Sequence, residues 1–130
     1  MALVSRRLAM LTFGVFSIIA IASMPALATQ VERIDSKVTI SKKAPAFHGR
    51  VKSDKQPCVE QRKVELFKAR RHRPDKLLGK DHTNHHGRWE VDVDPLRPGG
   101  YYAKVTRRSE GTAGTIHICR PDRSKFVGVD

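Results

Sequence analysis

The sequence predicts an all-β protein, an antiparallel two-sheet sandwich of about seven strands. Three observations lead there. Apolar residues recur with a period of two in short segments rich in β-branched and aromatic side chains. Clusters of Gly, Pro, Asn, Asp and Ser cut these segments at 53–57, 73–75, 84–87, 95–100 and 109–114. After the N-terminal leader, no stretch of ten or more residues combines a 3.6-residue apolar period with a cap.

The elements follow in chain order. Residues 1–28 of the 130 read as a signal peptide. Arg6 and Arg7 precede the uncharged run Leu8–Ala22, and Ala26-Leu27-Ala28 offers a small-x-small cleavage pattern. The apolar run of 15 residues falls short of the roughly 20 that span a bilayer. No membrane span is therefore expected after cleavage; the competing reading is a retained N-terminal anchor. Residues 29–36 form a polar lead-in, expected to be mobile, and 37–130 a single β-sandwich domain. Val38 and Ile40 alternate in Lys37–Ser41 until Ala44-Pro45 interrupts. Phe47, Gly49 and Val51 alternate in Ala46–Ser53, and Val64 and Leu66 in Arg62–Ala69. Trp89, Val91 and Val93 do so in Gly87–Asp94, then Tyr101, Ala103 and Val105 in Gly100–Arg108. Ile116 with Ile118, and Val127 with Val129, complete the set. If 87–94 and 100–108 pair as a hairpin, Glu90, Asp92 and Asp94 lie beside Lys104 and Arg108 on the solvent face. That would be a charge-paired ladder rather than a carboxylate site.

Composition narrows the function classes. Arg6 and Arg7 are the only charged residues of the leader, which leaves 23 basic and 13 acidic residues, or +10, on the 102 that follow. Only 31 of those 102 are apolar. A multidomain enzyme and a membrane-spanning transporter are excluded, and a lean core with a basic surface is implied. Export to an oxidising compartment makes Cys58 and Cys119 a disulfide pair, the alternative being two buried thiols. The bridge would close a loop of about 60 residues and contribute about 4 kcal/mol in the loop-entropy model.

An ordered set of motifs carries a resemblance. Gly49-x-Val51, Arg62-x-Val64-x-Leu66, Gly79-x-x-x-Thr83, Gly87-x-Trp89-x-Val91 and Pro98-Gly99-Gly100-Tyr101-x-Ala103-x-Val105 follow one another. This run, over Ala46–Val105, is similar to the carboxypeptidase regulatory-like modules. It looks closest to small secreted bacterial versions with one cysteine after the first strand (Cys58) and another near the end (Cys119). The resemblance implies a transthyretin-like, immunoglobulin-like sandwich with an accessory, structural or adhesive role. It brings no catalytic residues, because the peptidase chemistry of the namesakes lies in a separate domain. The turn Asn84–Gly87 and the segment Lys68–Lys76 depart from the family pattern.

Two constellations remain as candidate sites. Lys68, Arg70, Arg71, His72, Arg73 and Lys76 form the densest positive charge on the chain. Guanidinium groups bind phosphate, sulfate or carboxylate through paired hydrogen bonds. The expected partner is an anionic cell-surface polymer, an acidic polysaccharide or nucleic acid, or else an extracellular protein. The competing reading is a solvated basic surface that keeps the protein monomeric. Nucleic-acid readers add exposed aromatics for stacking, and alternation turns only Tyr102 outward, so specific nucleic-acid recognition is not expected. His82, His85 and His86 beside Asp81 are a second, weaker set, for zinc, copper or nickel, against which stands a solvated hairpin tip. No GxSxG, HExxH, P-loop or GxGxxG pattern occurs, so no catalysis and no cofactor are expected.

Overall fold

The computed structural model describes residues 29–130; the expected signal peptide, 1–28, lies outside them. Each alternating segment contains strand, although Lys37–Ser41 is divided between two strands with Thr39 and Ile40 outside both. In chain order the described strands are β1 (Gln30–Ile34), β2 (Ser36–Val38), β3 (Ser41–Lys43), β4 (Ala46–Ser53), β5 (Lys63–Lys68) and β6 (Lys76–His82). They continue with β7 (Arg88–Asp92), β8 (Gly99–Val105), β9 (Arg108–Thr112), β10 (Thr115–Cys119), β11 (Asp122–Arg123) and β12 (Val127–Val129). The chain is all-β, with several antiparallel sheets and, among the described residues, one short 3₁₀ turn at Gln56–Cys58. No helix among the described residues is long and apolar enough to cross a membrane.

Twelve strands stand where about seven were expected. The additional ones lack an apolar alternation to announce them. β3 is exposed throughout, β11 has two residues, and β6 ends in Gly79-Lys80-Asp81-His82. Such segments become strands because a neighbour offers a free row of backbone donors and acceptors. Within the lead-in, Gln30–Ile34 is a strand that pairs in parallel with β10, and Ile34 is buried against Cys58 and Cys119. The break expected at 109–114 narrows to a turn at 113–114 between β9 and β10.

Three sheets result. β11-β8-β5-β6, with β12 also on β8, form the largest; β2 and β3 pair with one another's neighbour β4, which also pairs with β7; β1-β10-β9 form the third. The two larger sheets supply one core. Val38, Ile40, Phe47, Val51, Trp89, Val91 and Val93 meet Val64, Leu66, Tyr101, Ala103 and Val105. The rings of Phe47 and Tyr101 stack across it at 4.7 Å. Gly49 admits the Trp89 indole, whose Nε1 donates to the Thr39 carbonyl at 3.2 Å. A Cβ at Gly49 would lie 1.9 Å from that same carbonyl oxygen.

The expected hairpin of 87–94 with 100–108 does not form. β7 pairs with β4 and β8 with β5, so Glu90, Asp92 and Asp94 face away from Lys104 and Arg108. The chain crosses between sheets after β7, because each strand buries its apolar face on opposite sides of the shared core. Two aspartates then join the sheets at their edges. Asp81 on β6 accepts the Glu90 N–H of β7 at 2.9 Å, and Asp122 on β11 accepts the Val38 N–H of β2 at 2.8 Å. Each satisfies an edge donor that would otherwise be open to another chain.

The third sheet is attached by covalent and polar links. Cys58 and Cys119 form the disulfide that the sequence implied. Beside it the fully buried Arg62 guanidinium donates to the Cys58, Thr106 and Arg120 carbonyls and to the Ser36 hydroxyl.

Candidate polyanion site

The basic segment 68–76 spans the end of β5, the connecting loop and the start of β6. Its tip is shaped by local hydrogen bonds. Arg70 Nε donates to the Pro74 carbonyl at 2.9 Å, and Arg70 N–H donates to Asp75 Oδ1 at 3.2 Å. His72 takes a left-handed conformation, φ 58°, which reverses the chain. Asp75 Oδ2 accepts the Tyr102 hydroxyl at 2.5 Å, tying the loop to the outer face of β8.

This tie sets the local electrostatics. The Tyr102 hydroxyl bond, then the Arg70 N–H, hold the Asp75 carboxyl below its ordinary range, with the Arg123 and Arg70 charges adding to them. Burial pushes the Tyr102 hydroxyl up, and the bond and charge of Asp75 push it further. Asp75 is thus a structural anion that braces the loop. It leaves the surrounding cations in excess.

The candidate residues divide into two groups. Arg71, His72 and Arg73 stand exposed at the tip. Lys68, Arg70 and Lys76 line a cleft of about 510 Å³, where Arg97 from the β7–β8 connection joins them. Leu78, Val93 and Tyr101 supply apolar lining, and Asp92 and Asp94 stand in the same cleft. Among the described residues, none of Lys68, Arg70, Arg71, Arg73, Lys76 and Arg97 makes an ion pair within 4.0 Å. Unpaired guanidinium groups on a braced hairpin can take anionic oxygens two at a time without first breaking an internal bridge.

Arg97 was not singled out in the sequence. It lies 21 residues beyond Lys76; the Tyr101 hydroxyl bond to the Arg97 carbonyl and the Ala69 N–H bond to the Gly100 carbonyl bring that connection beside the loop. The aromatic that faces solvent is Phe126 rather than Tyr102, which is buried. Phe67, Tyr102 and Phe126 cluster on the outer face of the largest sheet, with centroids 5.4 and 5.3 Å apart. Phe126 was hidden from an alternation argument because it precedes β12 rather than lying within a strand.

The histidines are dispersed. His85 Nδ1 lies 3.0 Å from Glu60 Oε2, and Gln56 Nε2 donates to the His85 carbonyl at 2.8 Å. His86 meets His85 edge to face, while His82 lines a separate cleft with His48, Asp81 and Glu90. Both Asp81 oxygens already accept backbone N–H groups, of His82 and Glu90. Among the described residues no three His, Cys, Asp or Glu side chains are placed to hold a metal ion. Adjacent residues diverge on an extended chain, and the turn at Asn84–Gly87 does not fold all three imidazoles together.

No protein-family model, no curated protein and no solved structure matches the chain. The chemistry of the site therefore rests on these residues alone.

Proposed function

We propose that the protein is a secreted, non-catalytic β-sandwich module that binds an extracellular polyanion through the hairpin loop 68–76. The sandwich reading takes the two larger sheets around one core as its layers, with the third sheet as an appendage. Its likeness to carboxypeptidase regulatory-like modules rests on the ordered motifs of Ala46–Val105 quoted above. Export is supported by the leader pattern and by a disulfide. One observation carries the binding reading: Lys68, Arg70, Lys76 and Arg97 line one cleft without ion-pair partners within 4.0 Å among the described residues, and Arg71 and Arg73 stand exposed at the tip of the same hairpin, braced by Asp75 and Tyr102.

The test is salt-gradient elution from immobilised heparin. Arg71→Ser with Arg73→Ser removes two tip charges and leaves the Arg70–Asp75 brace intact. This variant is expected to elute at clearly lower salt than the parent. Lys37→Ser with Lys52→Ser removes equal charge from exposed positions on paired strands β2 and β4, and is expected to shift elution less. Equal shifts from the two variants would show that diffuse charge alone does the binding.

A further inference from the structure

The outer face of the largest sheet carries a feature that charge alone does not require. Tyr102 lies between two rings, stacked on Phe67 with an interplanar angle of 13° and edge-on to Phe126 at 69°. The Arg123 guanidinium sits 3.9 Å above the Tyr102 ring and 5.0 Å from that of Phe126. Phe126 is 55% exposed, although one side of its ring lies near Gly100 and Tyr102. An aromatic ring left this open beside a stacked arginine is a surface ready to accept another flat ring.

The charges around it favour an anionic partner. Glu65 lies in register with Lys80 on one side and Lys104 on the other, and Asp75 is held by the Tyr102 hydroxyl. Arg123 makes no ion pair within 4.0 Å among the described residues. Its fork is exposed at the rim of the ring cluster, and Asp75 links that cluster directly to the basic loop. Flat rings joined by regularly spaced anions are the chemistry of single-stranded nucleic acid, whose bases stack on aromatic and guanidinium planes while basic residues track the phosphates.

We infer that the polyanion is single-stranded nucleic acid, bound without base-edge readout, with Phe126 and Arg123 stacking a base and loop 68–76 holding the phosphates. This rests on the polyanion reading above and narrows it. The sequence pointed the other way because Tyr102 was its only outward aromatic; in the structure Tyr102 is the buried centre of a larger cluster.

The experiment compares three probes by fluorescence anisotropy: a thymidylate oligomer of about 15 nucleotides, an abasic phosphodiester of the same length, and heparin. Thymidylate is expected to bind about tenfold more tightly than the abasic chain, the scale of a single base–aromatic stack. Phe126→Leu keeps an apolar cover over Gly100 and Tyr102 but removes the ring, and is expected to abolish that tenfold preference. Phe126→Trp is expected to retain it. Equal affinity of the parent for the two oligomers overturns the inference while leaving the polyanion reading standing. A loss on heparin as large as that on thymidylate in Phe126→Leu overturns it in favour of an acidic polysaccharide. Sedimentation of the ligand-free parent as a dimer that Phe126→Leu dissociates overturns it in favour of a second copy of the chain. Failure of all three probes to bind removes both readings together.

Discussion

Arg62 carries a positive charge into the interior with no carboxylate to meet it. Three carbonyls and a hydroxyl at 2.7–3.1 Å take its place. Burial first, and the nearby Arg108 charge second, bring its guanidinium down to about 10, so it stays protonated at neutral pH. Replacement by leucine would take the donor from the buried Cys58 carbonyl and from three part-buried acceptors. Arg62→Leu is expected to lower unfolding free energy by about 3 kcal/mol, the scale of a broken buried polar network, measured by urea denaturation. A loss below about 1 kcal/mol, the size of one ordinary hydrogen bond, would contradict the network's role. The alternation Arg62, Val64, Leu66 does place this residue on the inner face. What the sequence withheld was the acceptor set, drawn from positions 36, 58, 106 and 120.

The Asp75–Tyr102 bond makes a pH-dependent claim. Tyr102 holds its proton more tightly in the fold than in the unfolded chain, where a tyrosine ionises near pH 10. Its contribution is therefore present below about pH 10 and is lost as the pH rises towards the folded value. Asp75 behaves conversely: its contribution is present above about pH 4 and is lost as the pH falls through its lowered folded value. Replacing Asp75 with Asn removes the negative charge beside the hydroxyl. In a titration that follows the Tyr102 ring resonances by NMR, Asp75→Asn is expected to move the Tyr102 ionisation to lower pH. An unchanged titration would show that Asp75 does not hold Tyr102.

At the scale of elements, the third sheet depends on its attachments. β1 buries only Ile34, and β10 reaches the core cluster of that sheet through Cys119. The disulfide closes 61 residues of separation, so Cys58→Ser with Cys119→Ser is expected to lose about 4 kcal/mol. In hydrogen exchange, the amides of β1 and β10 should lose protection before those of β5 and β8; simultaneous loss would contradict a separately tethered sheet. This contrast also explains which elements the sequence revealed. β4, β5, β7 and β8 alternate because the shared core demands an apolar residue at every second position. β1, β3, β9 and β11 carry no such demand, and form by pairing their backbones with edges set elsewhere. The basic loop was legible because charge density is local in sequence. Arg97 and the Phe67–Tyr102–Phe126 cluster were not, since they converge only once β8 lies between β5 and β12.

At the scale of the molecule, the charge of +10 on residues 29–130 is distributed rather than uniform. Asp35 and Glu110 pair with Arg120 and Arg108, and Glu32 and Glu60 lie beside His117 and His85, on and beside the third sheet. Asp81 and Asp122 are spent on sheet edges. The cations of loop 68–76, Arg97 and Arg123 lie towards the other end of β8 and along its outer face, and among the described residues none of them makes an ion pair within 4.0 Å. The central claim is that this region makes the polyanion contact. Amide chemical-shift mapping during titration with a heparin fragment tests it most directly. Arg70–Lys76 and Arg97 are expected to shift first and furthest, with β2 and β4 nearly unmoved. Shifts spread evenly over exposed lysines and arginines, or centred on Lys37 and Lys52, would contradict it.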